Sequence, residues 1–189
     1  MKQIYLCLLV IFFVSGCSTT TPLSKATVFY ERATFPEKLQ QDTGVLNEPI
    51  LQHGRCNLWL ATPGANVTTN FRFCTYALAG KRLLVQEWDA VYIKYKQLMA
   101  VDLAQMSSVD LASRRGLFAS DKQVKLLESQ RLIGIAAIID DGGWVDEEST
   151  EKMFQTIKAL GIPSTGNTEL LKTPSVAPAT IPIIIPRTR

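Results

Sequence analysis

The sequence has 189 residues, of which 47% are hydrophobic and 20% charged, with a formal net charge of +3, four cysteines and one histidine. This length and hydrophobic content support one domain of modest size, and exclude both a highly charged disordered chain and a long multidomain enzyme. Twenty basic residues against seventeen acidic ones leave no dense basic footprint of the kind nucleic-acid binding requires.

Met1 to Gly16 has the pattern of a secretion signal: Lys2, the apolar run Ile4 to Val14, then the small pair Ser15 and Gly16. The apolar run covers eleven residues, against the roughly 20 needed to cross a bilayer as a helix, so a permanent span is not expected. The junction Val14-Ser15-Gly16-Cys17 resembles the lipobox of bacterial lipoproteins. The resemblance implies a diacylglyceryl thioether on Cys17, cleavage before it and acylation of the new amine. Acyl burial contributes about 0.8 kcal/mol per methylene, so two or more chains would hold the domain at a membrane without spanning it. Ser18, in the place where aspartate would mark retention, resembles the outer-membrane sorting pattern of enteric lipoproteins and implies the periplasmic face of that membrane. Removing residues 1–16 takes away Lys2 and leaves 173 residues with nineteen basic and seventeen acidic side chains, a balance of +2.

Residues 17–26 read as the lipidated end and a tether, since Ser18 to Lys25 is polar and carries three consecutive threonines and Pro22. A single domain is expected over 27–162. Cys7 leaves with the signal and Cys17 takes lipid, so Cys56 and Cys74 remain. In an oxidising compartment they form a candidate disulfide, which in the chain-entropy model would stabilise folding by about 3 kcal/mol. They fit neither a Cys-x-x-Cys motif nor a familiar zinc-ligand set.

Arg55 to Ala61 and Phe71 to Leu78 alternate as strands around the turn-forming Thr62-Pro63-Gly64-Ala65-Asn66. Ala79-Gly80-Lys81 marks a reversal, followed by extended candidates at Leu83 to Trp88 and Val91 to Met99. Gln97 to Ser113 fits either a helix or short extended pieces. Val124 to Glu128 and the apolar Arg131 to Ile139 flank a turn at Ser129-Gln130, and the second strand is expected to be central. Asp140-Asp141-Gly142-Gly143 stops it. Asp146 then caps a helix from Glu147, whose stripe is Met153, Phe154, Ile157 and Leu160, with Gly161 ending it.

The expected fold class is therefore α+β: an antiparallel sheet or partly closed barrel followed by a C-terminal amphipathic helix. Over Arg55 to Ile162 this order of elements resembles pleckstrin-homology-like and GRAM-type domains. An unrelated α+β sheet covered by a helix fits the same order, and no phosphoinositide-binding residue can be matched. Residues 163–189 form a Pro-rich segment, with Pro174, Pro178, Pro182 and Pro186 at every fourth position, and read as a flexible tail.

No catalytic set emerges. His53 is the sole histidine and has no Gly-x-Ser-x-Gly elbow beside it, while Ser107, Ser108, Ser113 and Ser120 lack a recognisable activating base. Asp140, Asp141 and Asp146, with Glu147 and Glu148, supply oxygen ligands that could suit calcium, but their spacing is not that of an EF-hand, and a strand-ending turn followed by an acidic helix start explains them directly. Lys94 and Lys96, alternating with Tyr92, Ile93 and Tyr95, suit the solvent face of a half-buried strand, and Arg114-Arg115 adds a second basic point. The expectation is a lipid-anchored cell-envelope interaction or assembly protein, not an enzyme, without a cofactor. Its partners would be the membrane, through covalent lipid, and an envelope protein, with no nucleic acid. The alternative is periplasmic binding of a small ligand or lipid in a cavity between the sheet and the Met153 to Leu160 helix.

Overall fold

The computed structural model describes residues 29–44, 48–68, 70–115 and 120–176. The signal, Cys17 and the tether lie outside the described residues, as does the end of the Pro-rich segment after Val176.

The chain is an α+β protein built on a seven-stranded antiparallel sheet. Its strands are β1 (Ile50–Ala61), β3 (Asn70–Ala79), β4 (Arg82–Asp89), β5 (Lys94–Asp102), β6 (Ser108–Arg115), β7 (Ser120–Glu128) and β8 (Arg131–Ile138), in the order β5-β4-β3-β1-β8-β7-β6. Two meanders, β3-β4-β5 and β6-β7-β8, are joined through β1, which pairs with β3 on one side and β8 on the other. The sheet is not closed, and β5 and β6 are its edges. The ambiguous Gln97 to Ser113 resolves into the end of β5, a short 3-10 turn at Leu103–Gln105 and β6.

Two helices cover opposite faces. On α2 (Glu147–Lys158), Asp146 accepts a hydrogen bond from the Ser149 amide at 2.9 Å, and Glu147 and Glu148 occupy the positive first turn. Met153, Phe154 and Ile157, spaced for one helical face, enter the main core with Cys56, Leu58, Tyr76, Val85, Leu126 and Ile135. Each such buried side chain contributes about 1.5–3 kcal/mol relative to exposure. Thr150 fastens the first turn to the sheet, its hydroxyl accepting from the Ala137 amide at 3.0 Å and donating to the Asp146 carbonyl at 2.7 Å.

The other helix, α1 (Phe35–Thr43), lies on the reverse face of the sheet. Pro36 sits in its first turn, and Gly44, at φ 62°, ends it by donating its amide hydrogen bond to the Gln40 carbonyl. Only Phe35 and Leu39, four residues apart, are buried, and they pack with Ala77, Leu84 and Tyr95.

The segment after α2 departs from the tail expected at 163–189. Up to Val176 it runs against the sheet as a strap. The Val109 amide donates to the Pro163 carbonyl at 2.9 Å, the Thr165 and Gly166 amides each donate to the Asp110 carboxylate at 3.2 Å, and Leu171 is buried with Trp59 and Leu132. The strap ends as β9 (Ser175–Val176), parallel to β2 (Val67–Thr68). Its prolines interrupt regular structure but leave its carbonyls free to accept, and Asp110 supplies the matching acceptor for its amides.

Candidate functional site

The acidic loop is organised by cations. Arg55 on β1 is almost fully buried, and its Nη1 reaches the carbonyls of Ile139 at 3.3 Å, Gly142 at 3.2 Å and also Asp140. Asp140 carries its own ion pair, accepting from Arg32 Nε at 3.0 Å and Nη2 at 3.2 Å, while Asp146 caps α2. The Asp140 and Asp146 carboxylates and the carbonyls of Ile139, Asp140 and Gly142 therefore already face guanidinium groups or a backbone amide. Among the described residues no three His, Cys, Asp or Glu side chains converge to hold a metal ion. Asp140, Asp141 and Asp146 belong to a turn and helix start.

His53 stands on β1 in an aromatic setting. Its Nδ1 lies 3.0 Å from the Tyr30 hydroxyl, and its ring stacks on Phe35 at 5.3 Å. Burial lowers its pKa, the nearby Arg32 cation lowers it further, and Asp140 opposes them. Burial likewise raises the Tyr30 phenol to about 12.

Cys56 and Cys74 are partners in register across β1 and β3 and are both fully buried. In the structure no disulfide joins them, and both are thiols. The Cys74 Sγ lies 3.5 Å from the Cys56 carbonyl instead. Burial, with the neighbouring Cys74, pushes the Cys56 thiol well up, so it is not a poised nucleophile.

Lys125 on β7 is only 4% exposed. Its ammonium donates to the Leu171 carbonyl of the strap and lies 6.0 Å from the Trp59 ring centre. Burial lowers its pKa, against the pull of Asp110, its cross-strand partner. The sequence pattern shows it only as one polar residue in an alternating strand, and nothing local signals that the strap would cover it.

One open concavity lies beyond α2 rather than beneath it. Met153 and Ile157 are completely buried, so the helix–sheet interface is filled. At the other end of β1 and β3, Leu58, Leu60, Leu98 and Met99 line a groove of about 280 Å3 with Asn70, Arg72 and Arg131 on it. A bulge shapes its wall: pairing steps from Val85–Met99 to Gln86–Gln97, leaving Leu98 without a partner in the register. Such an insertion bends the strand and re-aims its side chains, which lets the consecutive residues Leu98 and Met99 both reach the groove. Both arginines are charge-balanced, Arg72 by Glu87 at 3.7 Å and Arg131 by Glu128 at 2.6 Å. Neither the groove nor the bulge was visible in the sequence, where Val91 to Met99 read as one regular strand.

No protein-family model matches the chain, and no curated protein matches it either.

Proposed function

We propose that this chain is a lipid-anchored cell-envelope protein that binds an envelope protein partner in the groove between β1, β3 and β5. Cys17 holds the domain at the periplasmic face of the outer membrane, and the domain presents the groove as a non-catalytic assembly surface. The observation that carries the reading is the groove itself, lined by four aliphatic or thioether side chains and by two arginines, each arginine already facing a carboxylate. Charge-balanced arginines suit a mixed apolar and polar peptide segment better than a free anion, because a small anion would have to compete with Glu87 and Glu128. Within this reading the two meanders and the following α2 resemble a pleckstrin-homology-like scaffold, a likeness that carries no ligand with it.

A photo-crosslinking residue at Leu98, introduced in the full chain and irradiated in intact envelopes, tests the reading. A discrete protein adduct that disappears when Met99 is replaced by Asp is the expected result. A second reading, binding of a small ligand or lipid, is favoured by the groove's size, which lies near the lower bound of about 300 Å3 for small-molecule pockets. A copurifying molecule in native mass spectrometry, with no protein adduct, would select it. Neither adduct nor molecule would remove both.

A further inference from the structure

We propose that the tip of the β4–β5 hairpin, Val91-Tyr92-Ile93, is a membrane-contact site that enters the interfacial region of a phospholipid bilayer beside the lipidated end of the chain. Three consecutive large apolar residues stand at this turn, 83%, 71% and 67% exposed. The sequence pattern places them at the start of a strand, but β5 begins only at Lys94. The turn is held by Asp89, whose Oδ1 accepts from the Val91 amide at 3.0 Å and the Tyr92 amide at 3.1 Å.

Ile93 has φ 52°, and among the described residues it alone adopts a positive φ without being glycine. A β-branched residue in this left-handed region is a genuine outlier, and glycine or asparagine would relax the turn. A bulky apolar side chain kept at a strained, exposed apex contributes nothing to the core, so its use must lie outside the folded domain.

The flanks point to lipid. The Lys94 ammonium lies 5.4 Å from the Tyr92 ring centre and has no carboxylate partner among the described residues. An aromatic and aliphatic tip followed by a lysine whose stem can run along it is the composition that partitions to a bilayer interface. Lys96 is paired with Glu87 at 3.9 Å and Lys38 with Asp42 at 3.3 Å, so apolar insertion rather than attraction to anionic headgroups dominates.

Position supplies the second argument. Phe29, the first described residue, packs against Trp88 of the same hairpin with ring centres 4.6 Å apart. It follows Cys17 by twelve residues, a length of chain that reaches at most about 40 Å when fully extended. This placement rests on the lipid-anchor reading, and the domain would then sit with its β4–β5 end toward the membrane.

The test uses the full chain carrying Tyr92→Trp, reconstituted in phosphatidylethanolamine and phosphatidylglycerol vesicles with brominated acyl chains. Intact-mass analysis of the same sample reads Cys17. The expected result is that the introduced indole adds a blue-shifted emission that brominated lipid largely quenches. Adding Val91→Asp to this variant should abolish the quenching while leaving the melting temperature unchanged. Lipid on Cys17 with the added emission insensitive to bromine would overturn the contact site and leave the anchor standing. An unmodified Cys17 with the added emission quenched would do the reverse. A crosslinker at position 92 that captures a protein rather than lipid in intact envelopes would also overturn it.

Discussion

Trp59 on β1 and Gly134 on β8 are partners in register, and the indole fills the space a side chain at Gly134 would need: a Cβ there would stand 2.0 Å from Trp59 Cε2. The indole also donates from Nε1 to Gln123 Oε1 at 3.2 Å and packs with Leu132 and Leu171, so it cannot move aside freely. Gly134→Ala should therefore destabilise the chain by about 1–3 kcal/mol through overpacking. Urea denaturation should show a lower midpoint with an unchanged slope. Trp59→Leu in the same chain should recover part of the loss specific to the clash, giving a non-zero coupling in a double-mutant cycle. A neutral Gly134→Ala would mean that the indole does not occupy this site.

Lys125 fastens the strap through one buried charged donor. Lys125→Met keeps the stem but leaves the Leu171 carbonyl without its partner, a loss of about 1–3 kcal/mol. Asp110 still holds Thr165 and Gly166, so the effect should be local. Hydrogen exchange should speed up over residues 167–172 while the amides of α2 keep their protection. Equal acceleration in both regions would show that the strap is not an independently opening unit.

The legible parts of the fold were those with strong local patterns. The β1 and β3 alternation, the central apolar β8 and the cap at Asp146 each combine a hydrophobic period with a turn or capping residue, and the structure places elements there. Helix α1 has just Phe35 and Leu39 as its buried stripe, too short a pattern to stand out, although Pro36 at the start and Gly44 at the end were readable signals. The docked strap is held by contacts between Asp110 and Thr165–Gly166 and between Lys125 and Leu171, which are remote in sequence, so no local pattern encodes them. The groove depends on the bulge at Leu98, a register event that strand propensity does not report. The Cys56–Cys74 juxtaposition followed from strand alternation, but the state of the two sulfurs did not.

That state has its own consequence. Cys56 and Cys74 are fully buried, and the raised pKa of Cys56 keeps it as the unreactive thiol. In reduced protein at pH 8, iodoacetamide should leave both unmodified while the chain is folded and label both in denaturant. Labelling should therefore follow global unfolding, and its rate should rise with the destabilisation caused by Gly134→Ala. Rapid labelling of the native chain would contradict the burial of this pair. Absence of labelling in denaturant before reduction would reveal a bond between them.

His53 should give stability a dependence on mildly acidic pH. Burial and the Arg32 cation depress its folded pKa below the unfolded value of about 6.5, with Asp140 acting in the opposite sense. In the window below that value the unfolded chain binds more protons at this site than the folded one. Its contribution is thus fully present above the unfolded pKa and declines as pH falls toward the folded one. Protonation also removes the lone pair with which Nδ1 can accept from Tyr30, at 3.0 Å, and places a cation near Arg32. Melting temperatures measured from pH 7.5 to 5 should fall in the parent and flatten in His53→Gln. Tyr30→Phe should lower the whole curve, by about 1 kcal/mol for the lost hydrogen bond, while keeping a downward slope toward acid. Parallel curves for the parent and His53→Gln would assign the acid sensitivity to the carboxylates instead.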